Sequence, residues 1–190
     1  MGADANWAQP LDLATLGELT ALWLEGAIST PMYGGGPDEE TAALVPALVA
    51  MNRNGYVTDF SQPGEKDSGW WQRAAVSGHC TRREADRLAA ISLESELIVI
   101  TEFPSTQQIY ELPISQDNGR ANTRLAGRGY FAEPDDMWEG CHPETWRLLA
   151  ESYHVAICDP CWGRNDLLWP SAVAALTASE DRPGGLIRSA

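Results

Sequence analysis

Apolar side chains recur at helical spacing near the start of the chain. Leucines and a tryptophan between Pro10 and Gly26 stand three or four residues apart, which predicts a first amphipathic helix. A second apolar stripe predicts another helix. Asp38 can act as its amino-terminal cap, and the Asn-Gly pair 54–55 ends it. Because Pro46 removes one backbone donor, this second helix should be kinked or should begin its regular part late.

Three more helices are predicted further along. Thr81 stands three residues before Glu84, which is the spacing of a reciprocal capping box, and the box opens a helix over about 82–93. Pro143 is suited to the first turn of the next helix. The stretch "LLWPSAVAALTA" predicts a closing helix that is broken at Pro170.

Short runs of apolar and β-branched residues predict strands between these helices. They are 56–60, 70–80, "ELIVITEF" and "HVAIC", with a turn-rich and hairpin-like stretch over 104–130 and a loop at "DPCWGRND". This order predicts a mixed α/β fold, with a partly antiparallel sheet or sheets flanked by helices. We expect a single domain over residues 1–190, with frayed tails at 1–10 and 179–190.

The charge of the chain narrows the classes of partner. Acidic residues outnumber basic ones by 27 to 13, and the net charge of −14 repels nucleic acid and anionic membrane surfaces. No apolar run is long enough to span a bilayer, and the amino terminus lacks the pattern of a signal peptide. We therefore expect a cytoplasmic protein that binds neither nucleic acid nor membrane.

The four cysteines should then be thiols or metal ligands rather than disulfides. Cys158 and Cys161 have the spacing of one zinc knuckle, and Cys141 and His142 could complete a tetrahedral site. The second pair is adjacent rather than spaced, so reduced thiols are the alternative and we expect no metal. Two Cys–His combinations, at 79–80 and 154–158, do not favour nucleophilic catalysis, since the second pair is separated by about 13 Å along a strand.

Two further stretches carry weaker signals. The glycines of "YGGGP" lack the ending that a phosphate-binding loop requires, which favours a connector. The acidic cluster of "EPDDMWE" could bind a hard cation, but its spacing does not match an EF-hand and favours a solvated loop. Its acidic members are Glu133, Asp135, Asp136 and Glu139.

One long stretch is similar to a known regulatory domain. "EETAALVPALVAMNRNGYVTDFSQPG" and "GWWQRAAVSGHCTRREADRLA" resemble the carboxy-terminal regulatory domain of eukaryotic methylenetetrahydrofolate reductase. "LLAESYHVAICDPCWGRNDLLWPSAVAAL" is similar to the closing segment of that domain. The likeness covers about half of the chain, and Phe60 stands where the family has asparagine. The whole chain also resembles a family of uncharacterised actinobacterial and phage proteins of this length.

The resemblance implies a ligand and a set of contacts. The regulatory domain binds S-adenosylmethionine, and S-adenosylhomocysteine competes for the same site. Transferred by position, its contacts fall on Glu40, Thr41, Thr58 and Ser61. The resemblance also implies a homodimer. Residues 1–37 are too few for the catalytic barrel of the reductase, so a stand-alone domain is expected.

The chemistry of these four positions suits such a ligand. Glu40 can accept hydrogen bonds from the ribose diol or the ammonium, and Thr41 at a helix start can help to bind the carboxylate. Thr58 and Ser61 add hydroxyls from the end of a strand. Aromatic rings that could stack on adenine or face the sulfonium are Tyr33, Trp70 and Trp71. Taken singly, each position has an ordinary structural explanation as a helix-dipole partner, a strand residue or a turn former.

Three hypotheses about function remain open. The first is a domain that binds S-adenosylmethionine or S-adenosylhomocysteine as a sensor, a sequestering protein or a regulator of an unidentified protein target. The second is an enzyme, a methyltransferase or lyase, that consumes S-adenosylmethionine in the same pocket. The third is a small protein-interaction module without a ligand. No catalytic residue is assigned, although Glu40, Asp59 or His79 could act as acid or base if the fold brings them together.

Overall fold

The computed structural model describes residues 7–29, 36–104, 106, 110–126 and 141–178. Within these residues the chain forms five α-helices and one short 3₁₀ turn. The helices are α1 (Leu13–Leu24), α2 (Val45–Arg53), α3 (Arg82–Glu94), α4 (Pro143–Ala150) and α5 (Leu168–Thr177), and the 3₁₀ turn is Glu39–Thr41.

Nine strands are described. They are β1 (Tyr56–Gln62), β2 (Glu65–Lys66), β3 (Trp70–Cys80), β4 (Ile98–Glu102), β5 (Glu111–Pro113), β6 (Ser115–Asp117), β7 (Arg120–Ala121), β8 (Arg124–Ala126) and β9 (Tyr153–Trp162). Seven of them form one sheet, and β5 pairs separately with β8. All of the described pairings are antiparallel. The predicted mixed α/β fold with a partly antiparallel sheet flanked by helices is therefore confirmed.

The long strand β3 organises the large sheet. One edge of β3 pairs with β9 and, at its amino-terminal end, with β2, while the other edge pairs with β1 and, at its amino-terminal end, with β6. Strand β4 extends the sheet beyond β9. The hydroxyl of Tyr56 on β1 donates to the backbone oxygen of Val155 on β9, at 2.7 Å, and so links strands on either side of β3.

The two faces of this sheet are covered differently. One face, which includes Val76 and Ile157, packs against α2, α3 and α5 in the largest apolar cluster. On the other face, Val57 packs with residues of α1 and α4, and Ala75 and Ala156 pack with residues of the β5–β8 region. We call these the three-helix face and the opposite face.

The helix predictions hold, with two differences in detail. Regular helix before the Asn-Gly pair begins only at Val45, after the 3₁₀ turn, which is the late start expected from Pro46. Pro170 lies in the first turn of α5 and does not break it, because the first-turn donors have no intrahelical acceptor. At α3 the Thr81 hydroxyl bonds to the Glu84 carboxylate rather than to a backbone N–H, so the reciprocal capping box is not formed.

The predicted loop at "DPCWGRND" is wrong in its first half. Strand β9 continues through Asp159 to Trp162, and Trp162 pairs with Arg73 of β3. The pairing with β3 is irregular between Arg73 and Ala75, where Pro160 lies opposite. A proline cannot donate to a strand ladder, so this irregularity accommodates Pro160 without ending the strand.

The described start of the chain is packed onto the domain. Trp7 is 1% exposed and donates from Nε1 to the Ser29 carbonyl at 3.3 Å. Thr145 of α4 accepts from the Leu11 backbone N–H at 2.9 Å. Residues 7–10 are thus held against α4, whereas 1–6 and 179–190 lie outside the described residues. In the described ranges no helix has both the length and the apolar character needed to cross a membrane.

Helices α1 and α2 approach closely at Gly17. A Cβ atom on Gly17 would lie 2.4 Å from the backbone oxygen of Asn52, nearer than real Cβ atoms approach a neighbour. Asn52 is itself buried and donates from Nδ2 to Thr58 Oγ1 at 2.8 Å. The Thr58 N–H donates back to Asn52 Oδ1 at 3.1 Å, so the end of α2 fixes the position of β1.

We predict that Gly17→Ala destabilises the protein. Helix propensity alone favours alanine by up to about 1 kcal/mol, but the added methyl group must push α1 away from α2, at a cost of about 1–3 kcal/mol. Urea unfolding followed by circular dichroism would measure the change. Gly36→Ala is the matched control, because a Cβ there meets nothing within 4 Å. A Gly17→Ala variant more stable than the parent would contradict the close approach.

Candidate functional site

A β-bulge in β1 creates the most unusual polar site in the described chain. Thr58 pairs with Gly78 of β3 and Phe60 with Ser77, so Asp59 is an extra residue between them. A Cβ on Gly78 would lie 2.4 Å from the backbone oxygen of Val57 and 3.0 Å from the Thr58 Cα. Glycine at position 78 therefore allows the bulged strand to pass close to β3.

The extra residue turns Asp59 toward two histidines on the opposite face. Asp59 Oδ2 lies 2.9 Å from His154 Nε2 and 3.4 Å from His79 Nε2. His79 and His154 face each other across β3 and β9, with ring centroids 5.0 Å apart. We call Asp59, His79 and His154 the His–Asp–His cluster.

Each member of the cluster is oriented by a second polar group. The Ser77 hydroxyl donates to Asp59 Oδ1, and His154 Nδ1 lies 3.2 Å from Glu102 Oε1 on β4. His79 Nδ1 lies 2.9 Å from Ser152 Oγ, which donates its own proton to the Leu149 carbonyl at 2.7 Å. Because that hydroxyl proton is used, the Ser152 oxygen accepts a hydrogen bond from the Nδ1–H of His79, and Nε2 of His79 faces Asp59.

The cluster is almost completely removed from solvent. The side chains of His79, His154 and Glu102 are 1%, 5% and 0% exposed, and Asp59 keeps 13% of its side chain exposed. Asp59 is therefore the member through which solvent reaches the cluster. Burial of two carboxylates requires compensating positive charge or hydrogen bonds.

The electrostatics of the cluster favour a charged pair. Desolvation alone would lower the pKa of His154, but the charges and hydrogen bonds of Asp59 and Glu102 raise that pKa to about 9. Desolvation alone would raise the pKa of Asp59, but His154 and His79 hold it well below its usual range. A buried carboxylate beside an imidazole with an altered pKa is typical of acid–base sites, although structural ion pairs also shift pKa values.

A tyrosine hydroxyl adjoins this cluster. Tyr110 is half-buried, and its hydroxyl is buried beside the Glu102 carboxylate, with which it interacts. Desolvation, followed by the charges of Glu102 and Asp59, raises the pKa of Tyr110 well above its ordinary value. The hydroxyl therefore stays protonated as a donor beside Glu102.

The four residues predicted to bind a nucleoside lie elsewhere. Glu40 is exposed in the 3₁₀ turn, and Thr41 beside it is 8% exposed. Thr58 and Ser61 are half-buried on β1, where Thr58 is held by Asn52 and Ser61 pairs with Val76. The 3₁₀ turn lies against β1, so the two segments are neighbours.

The bulge also decides which face these hydroxyls occupy. In a regular strand, residues three apart point to opposite faces. With one extra residue at Asp59, Thr58 and Ser61 both lie on the three-helix face, since Ser61 is opposite Val76 of that face and Thr58 contacts α2. The His–Asp–His cluster lies on the other side of the sheet. Of the three groups considered as acid or base, Asp59 and His79 come together, while exposed Glu40 is separate from this buried pair.

The aromatic rings considered as stacking partners are in different settings. Trp70 and Trp71 begin β3, and Lys66 Nζ lies 4.2 Å from the centre of the Trp71 ring. That contact already uses one face of Trp71 in a cation–π interaction. Tyr33 lies outside the described residues, as do the four acidic residues of "EPDDMWE".

The cysteines and His142 do not form the zinc site that their spacing suggested. Among the residues described, the group of histidine, cysteine and acidic side chains close enough to share an ion is the His–Asp–His cluster. Cys158 is buried on the opposite face and Cys161 is exposed. Cys141 packs with apolar residues of helices α1 and α4. His142 instead caps α4 by accepting from the Glu144 N–H at 3.2 Å. Desolvation raises the pKa of Cys158 to about 12 and that of Cys141 to about 11, so both are protonated thiols.

Fold and cluster together define a mixed α/β domain that carries a buried His–Asp–His centre on one face of its sheet. The chain belongs to the family described as Domain of unknown function (DUF6919), whose model matches residues 2–179. A search of curated proteins found no match.

We predict that the cluster makes stability depend on pH in a window set by His154. The folded pKa of about 9 is above the unfolded value of 6.5, so the contribution is complete below pH 6.5 and is lost as the pH rises through 9. The loss should be at most about 3 kcal/mol. Asp59 has a lowered pKa, so its contribution is present above pH 3.8 and is lost at lower pH.

Urea unfolding at a series of pH values, with a chelator in every buffer, would measure this dependence. His154→Gln should remove the loss between pH 6.5 and 9, while His142→Asn, which keeps a helix cap, should retain it. An unchanged slope in His154→Gln would show that another group titrates in that range.

Proposed function

We propose that this domain binds S-adenosylmethionine or S-adenosylhomocysteine and serves as a sensor, a sequestering protein or a regulator of a protein target. The proposal rests on the resemblance to the regulatory domain of methylenetetrahydrofolate reductase. One structural observation carries it further. The bulge at Asp59 turns Thr58 and Ser61 to the same face of β1, which a regular strand would not do.

The neighbouring groups suit the polar parts of such a ligand. The hydroxyl of Thr58 accepts from Asn52 Nδ2, so its own proton remains to be donated to a ligand oxygen. Glu40 is exposed and offers a carboxylate for the ribose diol or the ammonium. Because Asn52 holds Thr58 by two hydrogen bonds, this hydroxyl is fixed before a ligand arrives, which reduces the entropy cost of binding.

A thermal shift assay with each compound tests the proposal. Ligand at a hundred times its dissociation constant should stabilise the protein by about 2.7 kcal/mol, which raises the melting temperature by roughly 5 to 10 °C for a chain of this size. Glu40→Ala should weaken binding by about 2 kcal/mol, or roughly 30-fold, because a charged acceptor is lost.

Glu39→Ala is the matched control, since Glu39 is an exposed carboxylate in the same 3₁₀ turn. It should bind within about twofold of the parent, as exposed charges outside a contact contribute little. The absence of any shift at millimolar concentration of either compound would overturn the proposal. Equal binding by folded Glu40→Ala and parent would instead show that the transferred site is wrong.

A second candidate is an enzyme that consumes S-adenosylmethionine, for which the His–Asp–His cluster supplies acid–base groups. The cluster joins a buried carboxylate to two imidazoles, the groups most used for proton transfer. It lies on the face opposite Thr58 and Ser61, so an enzyme of this kind would need a substrate that reaches Asp59 rather than the nucleoside positions.

A time course of S-adenosylmethionine with the protein separates the two candidates. The binding function predicts unchanged ligand, whereas the enzyme predicts S-adenosylhomocysteine, 5′-methylthioadenosine or homoserine lactone by chromatography. Asp59→Asn and His79→Gln should abolish any product formed by the cluster. Product that still forms with both folded variants would point to a contaminating enzyme. Turnover by the parent protein that is lost in both variants would rule out a domain that only binds S-adenosylmethionine.

A further inference from the structure

The His–Asp–His cluster has the donor set of a metal site. One atom from each of Asp59, His79 and His154 lies within 4.8 Å of the other two. An ion with bonds of about 2.0–2.2 Å places neighbouring ligand atoms roughly 3 to 3.5 Å apart. The two measured separations from Asp59 Oδ2, 2.9 and 3.4 Å, are already near that range.

The groups behind these three side chains match the outer contacts of metal ligands. A histidine that binds a metal nearly always donates its other ring N–H to a carboxylate or another oxygen, and a ligating carboxylate accepts a further hydrogen bond. Here Glu102 stands behind His154, Ser152 behind His79 and Ser77 behind Asp59. All three candidate ligands are therefore oriented from behind, with their remaining atoms directed at one another.

The charge of the cluster also calls for a cation. Asp59 and Glu102 bring two carboxylates, and so two negative charges, into a buried region. A proton on a histidine compensates part of this charge, and a divalent ion in the same place would compensate all of it. Asp59, with 13% of its side chain exposed, is the member of the cluster most open to solvent and the side from which an ion would enter.

We propose that Asp59, His79 and His154 bind a divalent first-row transition-metal ion, with Glu102, Ser77 and Ser152 as the outer groups that orient them. Two imidazoles and one carboxylate suit zinc, iron(II) or cobalt(II) better than magnesium or calcium, which prefer oxygen ligands. Three protein ligands leave a position for water, as in metal sites that act on a substrate.

Titration of the chelated full-length protein with Zn²⁺ and Co²⁺ tests this site. We expect one ion per chain by calorimetry, and visible absorption bands when Co²⁺ is bound. Mg²⁺ should produce no heat of binding at the same concentration. The experiment should be done in the Cys161→Ser background, because Cys161 is an exposed thiol that can bind these ions by itself.

Variants in that background separate ligands from outer groups. Asp59→Asn and His79→Gln should each weaken Zn²⁺ binding by more than about 100-fold, and Glu102→Gln by roughly 10- to 100-fold. His142→Asn is the matched control, since His142 is the remaining histidine of the chain and caps α4. Its affinity should equal that of the background protein.

A spectroscopic measurement keeps the test decisive if a variant fails to fold. The ring signals of the three histidines can be followed in proton–nitrogen spectra of the unsubstituted chain. Zn²⁺ should shift the signals of His79 and His154 and leave the signal of His142 unchanged. The proposal is overturned if the chelated protein binds neither ion, or if binding persists in folded Asp59→Asn. It is equally overturned if Zn²⁺ moves the His142 ring and not the other two.

Discussion

The β-bulge at Asp59 is the constraint on which the rest of the site depends. Strand β1 carries one residue more than β3 between Thr58 and Phe60, and Gly78 gives the passing backbone room. The same extra residue has two results. It brings Thr58 and Ser61 to the three-helix face, and it turns Asp59 to the opposite face, where the two histidines lie.

The polar cluster then ties together elements that are distant in sequence. Asp59 belongs to β1, His79 to β3, His154 to β9 and Glu102 to β4, while Ser152 connects the cluster to the end of α4. Removing one partner from such a buried network leaves an uncompensated charge, which costs more than the pair contributes. The cluster therefore restricts how these strands can align, because any shift in register separates charged groups inside the protein.

Elements with a local signal could be predicted from the sequence, and features made by distant residues could not. The helices and the strand Trp70–Cys80 follow from periodicity and caps over a few residues. The end of β9 was missed because Pro160 reads as a loop residue unless its partner strand is irregular at that point. Asp59 and His79 could be named as candidate acid–base groups, but nothing in the sequence indicates a bulge or brings His154 to them.

The two proposed sites rest on different kinds of argument, and they can succeed or fail separately. The nucleoside positions come from a resemblance to a regulatory domain, to which the shared face of Thr58 and Ser61 adds a geometric condition. The metal site comes from distances, burial and outer hydrogen bonds alone. Because the two lie on opposite faces of β1, substituting a side chain in one leaves the other's side-chain contacts in place. The backbone at Thr58 and Asp59 is common to both, so a change at Gly78, which sets the path of that backbone, would alter the two sites together.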